Sequence, residues 1–436
     1  MKIALINHGC PKNLVDSELM LGLLAQKGHD ITLEPESSDI VIINTCSFIH
    51  DAEKESVQSI LEMAQDGKKI IVTGCLAQKY KDELKEAMPE INAMIGPSDI
   101  NQIVDIVEAI ENENAEKYIS KISEKPEYIY PETVERQQIT MGASSYIKIA
   151  DGCNYHCGYC IIPQLRGEYH SRPIEKIVEE AKKMADKGVT EIILIAQDTT
   201  SYGIDLYGKQ MLPKLLSELN KIENISWIRF MYAYPSQVSD ELLDTMAKLD
   251  KVVKYIDLPL QHYDKDVLKS MRRPDFDYVD LIKNIRAKVP NVAIRTAFIV
   301  GYPGETEEQF NKLYDFVKNI KFDRMGVFEY SREKNTVSYD MKDQIPEKVK
   351  KARYNKLMAL QQGISTEINK KYIGKTIPCI VEGFTDDGVV IMRSEHDAPE
   401  IDGLVYATCE NSVVPGDIEN VKIEKSDEYD LFGKIV

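Results

Sequence analysis

The sequence predicts an α/β chain in three parts: a parallel sheet covered by helices, a partial barrel of β/α units, and a small all-β barrel. Three observations carry this. Strand-like and helix-like runs alternate through residues 1–115, and the alternation resumes on a longer spacing over 139–370. Beyond residue 371, short β-branched runs broken by Gly, Pro and Asp replace it. Strict strand–helix alternation means βαβ units and a parallel sheet, whereas short strands punctuated by turn residues mean a small β-barrel.

The bulk properties agree. A chain of 436 residues has room for about three domains, each able to bury a core. Apolar residues make up 43% and charged residues 29%, too apolar a mixture for disorder. The 54 basic and 71 acidic side chains give a net charge of −17, which argues against a nucleic-acid binder and favours a basic partner. Apolar runs such as 192–196 fall far short of the ~20 residues of a membrane helix. The N-terminus, Met1 to His8, turns polar too soon for a secretory signal. The expectation is a cytoplasmic protein that does not touch a membrane.

In the first part, strands are expected at 2–7, 40–44, 69–73 and 91–95, with helices at 16–26, 51–64, 79–87 and 99–111. A charged stretch with little apolar periodicity, 116–138, reads as a linker. The middle part offers six strands, at 146–149, 190–196, 227–232, 255–258, 293–300 and 325–328, each followed by a loop and a helix; a long helix over 348–371 closes it. Such β/α repeats build a TIM-type barrel whose functional loops follow the C-terminal strand ends. Tail strands are expected at 376–381, 389–392, 405–408 and 418–423.

The eight cysteines, at 10, 46, 75, 153, 157, 160, 379 and 409, are too few for a disulfide scaffold. In a reducing compartment, clustered cysteines are more often metal ligands or redox groups. Cys153, Cys157 and Cys160 share one loop after the first barrel strand, spaced C-x3-C-x2-C. Three thiolates without a fourth suit an iron–sulfur cluster with one iron left open. The alternatives are a zinc site completed by His156 or another residue, and unrelated buried thiols. Cys10, Cys46 and Cys75 each follow the end of a separate expected strand. The C-terminal strand ends of a parallel sheet lie on one edge, so these thiols converge there, and Gly9 and Gly74 let the backbone turn beside a bulky group. A second cluster accounts for that placement better than three independent buried cysteines.

The run Tyr146-Ile147-Lys148-Ile149-Ala150-Asp151-Gly152-Cys153, continuing through Cys160-Ile161-Ile162-Pro163 to Arg166-Gly167, resembles the radical S-adenosylmethionine (SAM) signature of the methylthiotransferase family. The likeness covers nearly the whole chain. It implies an N-terminal Rossmann/flavodoxin-like methylthiotransferase domain (1–115) with an auxiliary cluster, a radical SAM barrel (139–370) and a TRAM-like (OB-like) β-barrel (371–436). It implies two 4Fe-4S clusters, held by the two cysteine triads, and two uses of SAM. One SAM donates a methyl group to sulfur; the other is cleaved reductively to the 5′-deoxyadenosyl radical that abstracts hydrogen from an unactivated carbon. The cofactor carries this step, so no acid or base side chain is assigned.

The resemblance places Tyr159 beside the adenine and Gly301, in Gly301-Tyr302-Pro303-Gly304-Glu305-Thr306, on the SAM side. Gln197 and Gln261 end two barrel strands, within reach of the SAM ribose or carboxylate. Arg166, Arg172 and Arg295 are candidates for holding a carboxylate of SAM or substrate. Cys379 and Cys409 read as buried thiols, and His8, His156 and His170 as packing or hydrogen-bonding groups.

Within the family, Gly9-Cys10-Pro11-Lys12-Asn13 with Asp16-Ser17-Glu18, and Ala196-Gln197-Asp198-Thr199, match the branch that modifies ribosomal protein uS12 at the β-carbon of an aspartate. The tRNA adenosine branch is the alternative. Charge bears on the choice: net −11 over 1–115, +2 over 116–370 and −8 over 371–436. An RNA-binding barrel presents Lys and Arg to phosphates, whereas an acidic tail suits a basic ribosomal protein. RNA contact is therefore not favoured. An electron donor is also required, and a monomer suffices.

Overall fold

The computed structural model describes residues 1–47, 50–112, 118–139 and 142–436, with the backbone alone for His50 and Asp51. The end of the expected first domain (113–115), the linker's first residues Glu116 and Lys117, and Thr140 and Met141 near the barrel's start lie outside the described residues. Internal contacts divide the chain into two units: Met1–Met141 with Ala150–Tyr155 and Cys160–Arg172, and Gly142–Ile149 with His156–Tyr159 and Pro173–Val436.

The first unit is built on six parallel strands in the order Asp30–Thr32, Lys2–Asn7, Ile40–Thr45, Lys69–Gly74, Ala93–Ile95 and Ile119–Lys121. The central strand Ile40–Thr45 is buried along its whole length, as a parallel strand covered on both faces must be. Helices Pro11–Gln26, His50–Gln65, Cys75–Ala87 and Ile103–Glu111 alternate with the strands. Two strands extend the sheet beyond those expected: Asp30–Thr32 at one edge and Ile119–Lys121 at the other. Each has only three residues and is largely polar, Asp30-Ile31-Thr32 and Ile119-Ser120-Lys121, so neither offers an apolar run.

The described part of the charged stretch, 118–138, is drawn into this unit. Ile119–Lys121 pairs with Ala93–Ile95. Tyr128 OH donates to Asp16 at 2.9 Å, and Arg136 reaches the Glu18 carboxylate through Nη2 at 2.6 Å and Nε at 3.0 Å. Its polar composition thus answers buried carboxylates on helix Pro11–Gln26, not water alone.

The second unit carries the barrel strands Ser144–Lys148, Glu191–Ile195, Trp227–Phe230, Tyr255–Asp257, Ala293–Val300 and Arg324–Glu329, all parallel where paired. A parallel bridge between Ile228 and Val252 links the two halves. Helix Glu347–Asn369 closes the barrel segment, and the tail forms a closed barrel in the order Thr376–Phe384, Val390–Ser394, Val405–Thr408, Leu431–Ile435, Ile418–Ser426. The fifth strand, Leu431–Ile435, runs parallel to Val405–Thr408 and antiparallel to Ile418–Ser426.

Buried ion pairs join the tail to the starts of the barrel strands. Glu191 takes Arg229 Nε at 2.9 Å and also Arg393. Arg324 Nε reaches Asp397 at 2.6 Å, and Arg295 meets Asp257 at 2.9 Å and Asp402 at 3.4 Å. Burial pushes the Glu191 carboxyl up, but the Arg393 and Arg229 guanidiniums outweigh it and hold it down at about 2. Two of the tail's carboxylates, Asp397 and Asp402, therefore answer arginines of the barrel. The tail's acidity is in part internal, which weakens its use as a sign of a basic partner.

Candidate active site

In the first unit the three thiols stand at the C-terminal edge of the sheet. Cys10 follows the strand Lys2–Asn7 and caps helix Pro11–Gln26, Cys46 directly follows Ile40–Thr45, and Cys75 opens helix Cys75–Ala87 directly after Lys69–Gly74. A helix N-terminus favours a thiolate through its dipole and unpaired N–H groups. Cys10 is exposed, Cys46 half-buried and Cys75 buried, and no disulfide is formed among the described residues. Gly74 sits at φ 90°, and a Cβ there would come within 2.4 Å of Asn44 Oδ1, so the turn into Cys75 requires glycine.

Asn13, Asp16 and Ser17, on the helix after Cys10, are buried and hydrogen-bonded. Asn13 Nδ2 donates to Asn44 Oδ1 and to the Thr45 carbonyl, both at 3.0 Å, and Asn44 Nδ2 donates to Ser17 Oγ at 2.8 Å. Asp16 and Asn13 also hold Arg166: Nη1 donates to Asp16 at 2.7 Å and Asp151 at 2.9 Å, and Nη2 to Asn13 Oδ1 at 2.6 Å. Burial pushes the Cys75 thiol up, and the adjacent Arg166 guanidinium, through charge and a hydrogen bond, opposes it. Ile161 and Leu165 pack on Cys75.

None of the three arginines considered for a substrate or SAM carboxylate is left for that task by its described contacts. Arg166 serves Asp16 and Asp151, and Arg295 serves Asp257 and Asp402. Arg172 pairs with Glu132 at 2.7 Å and lies over the Tyr130 ring. Each carries a charge met by at least one carboxylate 38 or more residues away in sequence.

Of the second triad, Cys153 and Cys160 belong to the first unit and Cys157 to the second. Cys153 N donates to the Gly167 carbonyl at 3.1 Å. Gly152, at φ 82°, lies so near the segment Gly167-Glu168 that a Cβ would fall 1.8 Å from the Glu168 carbonyl oxygen. In the second unit, Gly158 N donates to Met271 O at 2.8 Å, and Ser338 N donates to Gly158 O at 2.9 Å. Tyr159 packs against Val267, Met271, Tyr302 and Tyr330. Arg273 is buried with its guanidinium over the Tyr234 ring at 4.2 Å, and its charge is felt at Tyr159 and Cys157.

Gln197 and Gln261 are half-buried beyond the ends of their barrel strands. Gln261 adopts φ 71°, a left-handed conformation costly for a side-chain-bearing residue and concentrated at functional sites. Gly301, at φ 75°, donates its N–H to the buried Glu305. Glu305 also accepts from Arg353 Nη1 at 3.0 Å and meets His262 Nε2 at 3.2 Å. Asp264 N donates to His262 Nδ1 at 3.0 Å, which assigns the proton to Nε2 and makes the imidazole a donor to Glu305. Sequence reasoning missed His262, Arg353 and Arg273. Only Glu305, inside the glycine motif, carried a local signal.

The donor set fits iron–sulfur clusters: all six candidate ligands are sulfur, and two buried hydroxyls lacking a partner, Ser47 Oγ and Thr73 Oγ1, flank Cys46 and Cys75 in sequence. Donors of this kind pair with the acceptor sulfurs of a bound group. Among the described residues no three His, Cys, Asp or Glu side chains converge tightly enough for a single metal ion; a cluster spreads its thiolates further, each on a different iron. Cys379 is buried, as expected. Cys409 is half-exposed, its thiol donating to Asn411 O at 2.9 Å, because it lies just past the last residue of its strand. His8 bonds Ser59 and faces Glu55, a hydrogen-bonding role.

Residues 147–317 match the radical SAM superfamily, 2–96 the uncharacterized protein family UPF0004, and 373–436 the TRAM domain. The ribosomal protein uS12 methylthiotransferase RimO of Caldanaerobacter subterraneus subsp. tengcongensis is 48% identical over 438 residues, covering 99% of each chain. The protein of the same name from Desulforamulus reducens is 46% identical over 443 residues, again 99% of each. Among solved structures, the radical SAM methyltransferase TsrM of Kitasatospora setae, with cobalamin and a [4Fe-4S] cluster bound, aligns with TM-score 0.56 at 13% identity over 86% of this chain and 78% of that one. The cobalamin-dependent radical SAM enzyme OxsB aligns with TM-score 0.51 at 11% identity over 83% and 56%. At these identities the two structures share the fold alone.

Proposed function

Because the chain belongs to the RimO family of ribosomal protein uS12 methylthiotransferases, we propose that it methylthiolates the β-carbon of an aspartate of uS12, using SAM and two 4Fe-4S clusters. The carrying observation is the near-full-length relationship at 42–48% identity to proteins of that name. Bound clusters and SAM supply the reductive cleavage, the hydrogen-abstracting radical and the sulfur-bound methyl group. The chain's own residues hold, orient and enclose them.

Cys10, Cys46 and Cys75 hold the auxiliary cluster, and Cys153, Cys157 and Cys160 hold the cluster that binds SAM. Tyr159 offers its ring to the adenine from an apolar cluster shared with Tyr302 and Tyr330. Gln197 and Gln261 present amides to the ribose or carboxylate of SAM. Gly301 keeps the loop open beside them, its amide fixed by Glu305. Arg273 sets a positive charge beside Cys157 and Tyr159, where a SAM carboxylate would gain from it. The functional parts are 1–115 for sulfur, 139–370 for radical formation and 371–436 as the TRAM-like barrel, with 116–138 between the first two.

The tRNA adenosine branch is not favoured. On this reading the protein acts in the cytoplasm as a monomer on a basic protein, draws electrons from a separate donor, and RNA contact is not favoured. Separately, no helix among the described residues is long and apolar enough to cross a membrane. Mass spectrometry of uS12 and tRNA from cells lacking the gene tests the reading. Loss of the increment for CH3S replacing H on uS12, with tRNA unchanged, is expected. Loss from tRNA alone would overturn it.

A further inference from the structure

Resting on the two-cluster reading, we propose that Arg166 is the positioning residue that ties the Cys10 loop to the segments carrying Cys153 and Cys160 and raises the reduction potential of the auxiliary cluster. One guanidinium, 2% exposed, is anchored to the surroundings of both triads. Asn13 and Asp16, which it contacts at 2.6 and 2.7 Å, lie three and six residues after Cys10. Asp151, at 2.9 Å, lies two residues before Cys153. Arg166 itself ends the helix Ile162–Arg166 that begins two residues after Cys160, and Ile161 and Leu165 pack directly on Cys75. All these residues belong to the first compact unit.

The arrangement needs arginine. A planar fork with five donors reaches divergent acceptors at once, which a single ammonium does not. Two carboxylates hold the fork: Asp16, also accepting from Tyr128 OH at 2.9 Å, and Asp151, which accepts from Gly152 N at 2.8 Å. Those bonds orient the carboxylates, so the guanidinium is aimed and not merely neutralised. A fixed cation beside a thiolate-ligated cluster stabilises the more negative, reduced state, because charge and hydrogen bonds to the sulfurs set cluster potentials. A nearby carboxylate does the reverse. Removing Arg166 and removing Asp16 therefore move the potential in opposite directions, a result that loosened packing does not produce.

The test is an EPR-monitored redox titration of the full chain carrying Cys153→Ala, Cys157→Ala and Cys160→Ala, which leaves only the auxiliary cluster. Arg166→Gln is expected to lower its midpoint potential, Asp16→Asn to raise it, and Arg166→Lys to stay near the parent. Where Arg166→Gln does not fold, Asp16→Asn carries the sign. An unmoved potential at full iron content, or a shift of the same sign in the Gln and Asn variants, overturns the proposal. A triple-alanine chain that takes up no cluster overturns the two-cluster reading instead.

Discussion

Glu191, at the first position of its barrel strand, receives both terminal nitrogens of Arg393, which lies on the second strand of the tail barrel. Neither side chain has any exposure to solvent. The pair places the tail against the N-terminal end of the barrel strand Glu191–Ile195.

Glu191→Gln leaves Arg393 and Arg229 buried without their carboxylate. Breaking one side of such a pair costs about 3–5 kcal/mol. The Glu191 carboxyl is held at about 2 against an ordinary 4.5, so its contribution is fully present above the unfolded value. It is lost as pH falls through the folded one, and the gap between wild type and variant should therefore close between those values. Trp227, the sole tryptophan and the ladder partner of Glu191, reports the transition by fluorescence in urea at each pH.

Gly152→Ala should disrupt the approach of the Cys153 loop to the segment leading into the strand His170–Ser171, because Gly152 sits at φ 82° and a Cβ there would lie 1.8 Å from the Glu168 carbonyl oxygen. Backbone cannot yield as a flexible side chain does, and the left-handed φ adds about 1–3 kcal/mol. Iron analysis after reconstitution should find the cluster of the second triad depleted and that of the first retained.

Cys153→Ala and Cys75→Ala should separate the two halves of the chemistry. The first should abolish formation of 5′-deoxyadenosine. The second should leave reductive SAM cleavage in place and abolish methylthiolation of uS12. Product chromatography beside intact-mass analysis of uS12 distinguishes them; 5′-deoxyadenosine from the Cys153 variant would sink the assignment of that triad.

Tyr159→Ala removes one wall of the cluster formed with Tyr302 and Tyr330. Aromatic contacts of this kind contribute about 0.5–1.5 kcal/mol. SAM binding to the reconstituted protein should weaken up to about tenfold by equilibrium dialysis, with iron content unchanged. Tyr159→Phe should bind as wild type does.

The parts of the fold that sequence made legible are those with strong periodicity. All six barrel strands, and in the first sheet Lys2–Asn7, Ile40–Thr45, Lys69–Gly74 and Ala93–Ile95, were readable from apolar runs. Leu431–Ile435 was not: Gly433 in its middle looks like a break, yet a Cβ there would fall 2.2 Å from Lys422 O, so the neighbouring strand requires the glycine. The cysteines were legible because their spacing and their position after strands are local facts. Arg166, Arg172 and Arg295 were singled out but misassigned, since the carboxylates that hold them lie 15 and 150, 40, and 38 and 107 residues away. His262 gave no signal, because its meaning depends on Glu305, 43 residues on.

The carboxylates Asp397 and Asp402 matched to Arg324 and Arg295 bear on inheritance. A β-barrel transplanted from another protein would bring its own residues to these positions, and any mismatch would strand a buried charge. Such a tail cannot be exchanged as a loose cassette. It must change in step with the barrel beneath it, one ion pair at a time.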